Sequence, residues 1–233
     1  MKNNASTFFY LLLITVLFQS CAAAYVPNAV NVPMLSNKGE LQVAANFGFS
    51  GFDPQIAYGV TNNIGLMANG SFFNGYTSDT ISTDYSNHNY GEIGLGYYMS
   101  ILKVIRVELY AGKGYGEIYG ERRLNEGTYL TEPTQTSSSK FRLSNVTTFI
   151  QPSIGFSTKA FDCALSNRLI KVEVWDKANV SSNFFMTPVI TFKLGYDRVK
   201  IISQQGICIP MTTMGSFLYQ PFIFSFGIQY RFN

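Results

Sequence analysis

The chain holds one histidine, His88, and acid–base chemistry would have to start there. Asp79, Asp84 and Ser86 lie just upstream in the same polar stretch. An imidazole beside a carboxylate can activate water or a hydroxyl. Polar loops carry serine and aspartate whatever their role, so a solvated loop histidine is the simpler reading. The cysteines Cys21, Cys163 and Cys208 form no CxxC pair, no metal-ligand spacing and no disulfide framework. Gly112 to Gly120 reads GKGYGEIYG, which looks like a phosphate loop. Its glycines alternate at strand spacing and no helix follows, so they are read as small residues on one face of a strand. No catalytic residue, metal site or cofactor is expected from these groups.

The elements that would position them are strands. From Phe222 to Phe232 every second residue is large and apolar: Phe222, Phe224, Phe226, Ile228, Tyr230 and Phe232. Period-two alternation gives a strand one greasy face and one polar face. Eleven residues are enough to cross a bilayer at a tilt, which takes roughly 9–11. The same alternation recurs about ten times from Gly39 onward. Charged residues are only 13% of the 233 and aromatics are 15%, against about 25% charged in a soluble domain. No apolar run beyond the N-terminus reaches the 18 or so residues of a membrane helix. A net charge of +3 gives no case for nucleic acid. The expected fold is therefore all-β: a closed antiparallel transmembrane β-barrel of about ten strands, with eight or twelve as alternatives. In lipid an open sheet edge would leave backbone groups unpaired, so the sheet must close.

The alternation assigns faces. Glu40, Asp53, Glu92, Arg106, Glu108, Lys193 and Arg231 fall on the lumen phase and are expected to neutralise one another across the barrel. A filled interior is expected over a conducting path, because ten strands leave little room. In the seventh strand, about 161–175, the apolar phase changes between Leu165 and Ile170, which predicts a bulge or a shifted register. Connections after strands 2, 4, 6 and 8 are short, and those after 3, 5, 7 and 9 are longer. The long ones, 74–87, 120–140, 176–183 and 204–219, are read as extracellular loops.

The terminal strand resembles the C-terminal strand of bacterial outer-membrane β-barrels, which typically ends on or next to a phenylalanine. That resemblance implies the outer membrane of a gram-negative bacterium, contact with outer-membrane lipid, and recognition of the strand ending at Phe232 by the barrel-assembly machinery. The N-terminus carries Lys2, an apolar run from Phe8 to Phe18, and then Phe18-Gln19-Ser20-Cys21. This resembles a bacterial lipoprotein signal, which implies a signal peptide over 1–20 and lipidation of Cys21; the other reading is an ordinary signal cleaved near Ala22 or Ala24. Residues 21–38, with two Val-Pro steps, are read as an extended periplasmic linker, and 39–233 as the barrel. An even strand count puts both chain ends in the periplasm.

Function is less legible. The first reading is a non-enzymatic barrel with a structural or surface-interaction role through its extracellular loops, where Tyr76, Tyr85, Asn87 and Tyr129 could grip an unknown ligand. A narrow channel for small solutes is the second. The third is a rim enzyme using His88, since outer-membrane proteases and lipid A deacylases place a histidine near the outer rim.

Overall fold

The computed structural model describes residues 23–78, 82–124, 137–176, 179–212 and 218–232. The strands are β1 (Leu41–Gly48), β2 (Gly51–Gly59), β3 (Ile64–Ser78), β4 (Ser82–Ile101), β5 (Ile105–Leu124), β6 (Ser137–Ser157), β7 (Phe161–Asp176), β8 (Asn179–Tyr196), β9 (Val199–Ile207), β10 (Ile209–Pro210) and β11 (Phe222–Phe232). Neighbours in sequence pair antiparallel from β1 to β9. β11 then lies between β9 and β1, with Phe222 opposite Ile207 and Leu41 opposite Phe232. Ten strands thus close a barrel, each paired on both sides over part of its length, and β10 is a two-residue continuation that pairs with β8.

One end of the barrel carries the tight turns, including Leu102-Lys103, both in the left-handed region (φ 52° and 63°) that hairpin turns require. The C-terminal strand also finishes at this turn end. The other end, the loop end, is slanted. β1 and β2 have 8 and 9 residues, whereas β4, β5 and β6 have 20, 20 and 21. At about 3.3 Å per residue, the long strands rise well beyond the roughly 9–11 residues needed to cross a bilayer.

The outward phase follows the sequence. Phe47, Ile56, Ile93, Leu95, Phe226 and Ile228 all face outward and exposed. Above that belt the outward residues turn polar, with Asn89 and Asn87 on β4, Lys113 and Glu117 on β5, and Arg142 on β6. The expected loops 74–87, 120–140 and 176–183 are corrected here. Asn74 to Ser78 pair with Thr83 to Asn87, and Gly120 to Leu124 pair with Ser137 to Phe141. Asp176 pairs directly with Asn179. Alternation fades in these stretches because both faces meet water, yet the backbone ladder continues. The last, 204–219, is also strand in part, with β9 running on to Ile207 and β10 over Ile209–Pro210.

The expected bulge in β7 is also absent. Its pairing with β8 runs without interruption from Phe161 opposite Leu194 to Asp176 opposite Asn179. Ile170, Val172 and Val174 point inward because the upper lumen is apolar. They are buried with Tyr25, Phe185 and Cys208. Lys171 and Glu173 point outward and pair with each other at 2.9 Å.

Candidate functional site: the threaded lumen and the loop-end mouth

The lumen is occupied by the chain's own N-terminal segment. Ala29, Val30, Val32, Met34 and Leu35 are at most 2% exposed. Ala24 donates its N–H to Leu218 O at the loop end (2.8 Å), and Gly39 donates to Gly59 O at the turn end (2.7 Å). The segment between them therefore runs the length of the barrel. Ala24 and Phe232 lie at opposite ends, which corrects the expected linker outside the barrel with both ends on one side. Cys21 lies outside the described residues.

The sequence suits this position. The two Val-Pro steps keep the backbone extended, and each proline removes an N–H that would otherwise need a partner in a dry interior. Val30, Val32 and Met34 pack against Ala164, Val189 and Ile223. The backbone groups are met by barrel side chains in sequence along the axis. Asp53 accepts from Ala29 N (2.7 Å), and Gln151 donates to Asn31 O (2.7 Å). Lys193 donates to Val32 O (2.7 Å). Glu108 accepts from Leu35 N (3.0 Å), and Glu40 accepts from Ser36 N (2.8 Å). A gap beside the segment, bounded by Asn31, Val32, Gln42, Lys193 and Gln229, measures about 10 Å³, space for about one water.

The seven lumen charges are thus placed inside, but they do not form a network with one another. Only Glu40 and Arg231 meet, at 3.0 Å. Asp53, Glu108 and Lys193 grip the threaded segment instead. Arg106 donates to Lys103 O (2.8 Å) and to Ser36 Oγ (3.2 Å). Glu92 meets Arg168 at 3.0 Å, with both side chains almost wholly buried. Glu92 also accepts from Tyr90 Oη and Asn69 Nδ2, each at 2.7 Å. Arg168 donates to Gln151 Oε1 and lies over the Phe149 ring. A second buried pair joins Lys200 to Asp162 at 2.7 Å. Sequence reading missed Arg168, Asp162 and Lys200. The parity of β7, once Phe161 and Leu165 are taken as outward, would have put Asp162 and Arg168 inside.

At the mouth, Phe185 packs between Tyr25 and Tyr219, with both rings tilted to it and both separations 5.2 Å. This closes the β7–β8 side. On the opposite side the described residues bound a cavity of about 570 Å³ against the inner face of β3 to β6. His88 lies in that wall, 4% exposed, and neither ring nitrogen has a hydrogen-bond partner. It is therefore not the solvated loop residue expected. Asp84 is held by Arg122 through two bonds of 2.8 and 2.9 Å, and that guanidinium keeps its carboxyl below the usual range. No carboxylate orients His88, so the base–orienter pair of a hydrolase is missing among the described residues. Asp79 and Tyr129 lie outside them. Cys163 and Cys208 are both free, at different heights of the barrel. Among the described residues no three His, Cys, Asp or Glu side chains gather to hold a metal.

The outer face of the same wall carries aromatics and paired charges. Tyr76 and Tyr85 pack at 5.0 Å, and Arg123 lies over Tyr85. Glu121 accepts from Arg123 (2.6 Å) and meets Lys140 at 3.3 Å. Arg142 pairs with Glu117.

No family model matches the chain, and no curated protein matches it in sequence. Among solved structures it is similar to the N-terminal β-barrel domain of Pseudomonas aeruginosa OprF, at 11% identity over 84% of this chain and 98% of that one, TM-score 0.34. It is similar to Ail, the attachment invasion locus protein of Yersinia pestis, at 12% identity over 84% and 99%, TM-score 0.35. A third likeness is to OmpT, an outer membrane protein of Vibrio cholerae, at 9% identity over 83% and 96%, TM-score 0.25.

Proposed function

We propose that this chain is a non-enzymatic barrel of the gram-negative outer membrane, sealed by its own N-terminal segment, whose projecting wall makes contacts at the cell surface. The wall carries the reading. β2 stops pairing with β3 at Phe72, and β7 stops pairing with β6 at Ser144. Residues 73–78 of β3 and 137–143 of β6 therefore have no strand beside them on those sides, among the described residues. Such edges, with exposed tyrosines between them, are suited to gripping another chain. The filled lumen argues against a channel, and the unpartnered His88 argues against a rim hydrolase.

In this reading the exposed apolar belt faces lipid, and the strand ending at Phe232 is the contact for the barrel-assembly machinery. Cys21 is the proposed lipid acceptor.

Two experiments test the reading. The protein should fractionate with the outer membrane and show heat-modifiable mobility on gels; release by carbonate or high salt alone would contradict it. Cells displaying the full barrel should adhere to mucin, laminin or fibronectin coatings more than cells whose 76–85 stretch is replaced by an Asn-Gly turn. Equal adhesion on all three would remove the interaction role.

A further inference from the structure

The inner face of the wall is built in three tiers, set by strand register. Phe73, His88, Ile118 and Leu143 form the lower tier. Gly75, Ser86, Gly120 and Phe141 form the middle tier, and Thr77, Asp84, Arg122 and Ser139 the rim. The middle tier has small residues on three of its four strands. Where Gly75 lacks a Cβ the Phe73 ring lies close, and where Gly120 lacks one the Phe141 ring does. Two aromatic rings thus flank a shallow slot that opens into the 570 Å³ cavity. Phe73 faces the mouth and is nevertheless 41% exposed.

His88 supplies an independent observation. A buried imidazole with neither nitrogen bonded forgoes the hydrogen bonds such groups nearly always make. His88 is among the residues that line the cavity, so a partner could reach it from there. The rim charges are committed: Asp84 to Arg122, and Glu121 to Arg123 and Lys140. Among the described residues the cavity therefore offers aromatic surface and one imidazole, with its charged side chains already paired.

The geometry points to a binding site for a small uncharged ring-bearing molecule with a hydroxyl group, its ring between Phe73 and Phe141 and its hydroxyl on His88. The cavity has the size of an ordinary small-molecule site. A hydroxyl both donates and accepts, as a neutral imidazole does. The site uses the inward side chains of the same wall, not its outer face, so binding of a probe there is read apart from any cell-surface contact.

The single histidine makes the test direct. The folded protein, labelled with ¹³C-histidine, is titrated with 2-naphthol, and the ring resonance of His88 is followed. A saturable shift is expected. The Ser86→Trp variant fills the middle tier and should lose it while keeping heat-modifiable mobility. Should that variant not fold, Ser139→Trp blocks the slot from the exposed rim and should lose the shift in its place. Naphthalene, lacking the hydroxyl, should bind about three- to tenfold more weakly, the worth of one hydrogen bond. A shift that never saturates, or that persists in the blocked variant, would overturn the site. Equal binding of naphthalene would overturn the role of His88.

Discussion

Gln204 holds both backbone groups of Val30: its Oε1 accepts from Val30 N at 3.0 Å and its Nε2 donates to Val30 O at 2.5 Å. One side chain here does for the threaded segment what a neighbouring strand would do in a sheet. Replacing it with leucine leaves a buried N–H and C=O unpaired at once. Gln204→Leu should destabilise the folded barrel by about 2–4 kcal/mol. Urea unfolding from micelles, read as loss of heat-modifiable mobility, measures it, and an unchanged midpoint would contradict the bond pattern.

The threaded segment also decides conduction. Wild-type protein should be silent in a planar lipid bilayer. Deletion of 24–37 should leave a water-filled lumen lined by Asp53, Glu108, Lys193 and Gln204, and stepwise ion conductance should appear. A folded deletion variant that stays silent would show that the remaining side chains close the lumen unaided.

Glu92 and Arg168 should behave as a buried pair. Arg168→Met alone strands a carboxylate in the lumen and should cost about 3–5 kcal/mol. The double variant Glu92→Gln with Arg168→Met removes both charges and should recover most of that loss. A double variant no more stable than Arg168→Met alone would mean that the charges are independently solvated.

Threading predicts opposite sides for the two chain ends. An epitope placed between Ala22 and Ala23 should be reached by antibody on intact cells, and one following Phe232 should be reached only after permeabilisation. Labelling of the C-terminal epitope alone would invert the orientation.

The exterior phase can be checked on the last strand. Phe226 is half exposed on the outward belt, so Phe226→Arg should lower folding into lipid vesicles by about 2–4 kcal/mol, whereas Phe226→Leu should fold nearly as well as wild type. Equal folding of the arginine variant would place Phe226 away from lipid.

By itself the sequence determined the barrel, the outward and inward phases of the strands, and the burial of Glu40, Asp53, Glu92 and Lys193. Those features follow from period-two alternation, which is local and survives in a single chain. What fills the lumen was decided only by tertiary structure. Residues 25–38 look like a linker because their partners, Gln151, Lys193 and Gln204, are more than a hundred residues away in the chain. The reach of the wall was hidden for a related reason: above the apolar belt both faces of a strand meet water, so pairing continues without any hydrophobic pattern to announce it. In β7 the inward Ile170, Val172 and Val174 imitated a change of register, because the upper lumen is apolar where Tyr25 and Phe185 close it. His88 became a wall residue beside an open slot only when strand register set it level with Phe73 and Ile118.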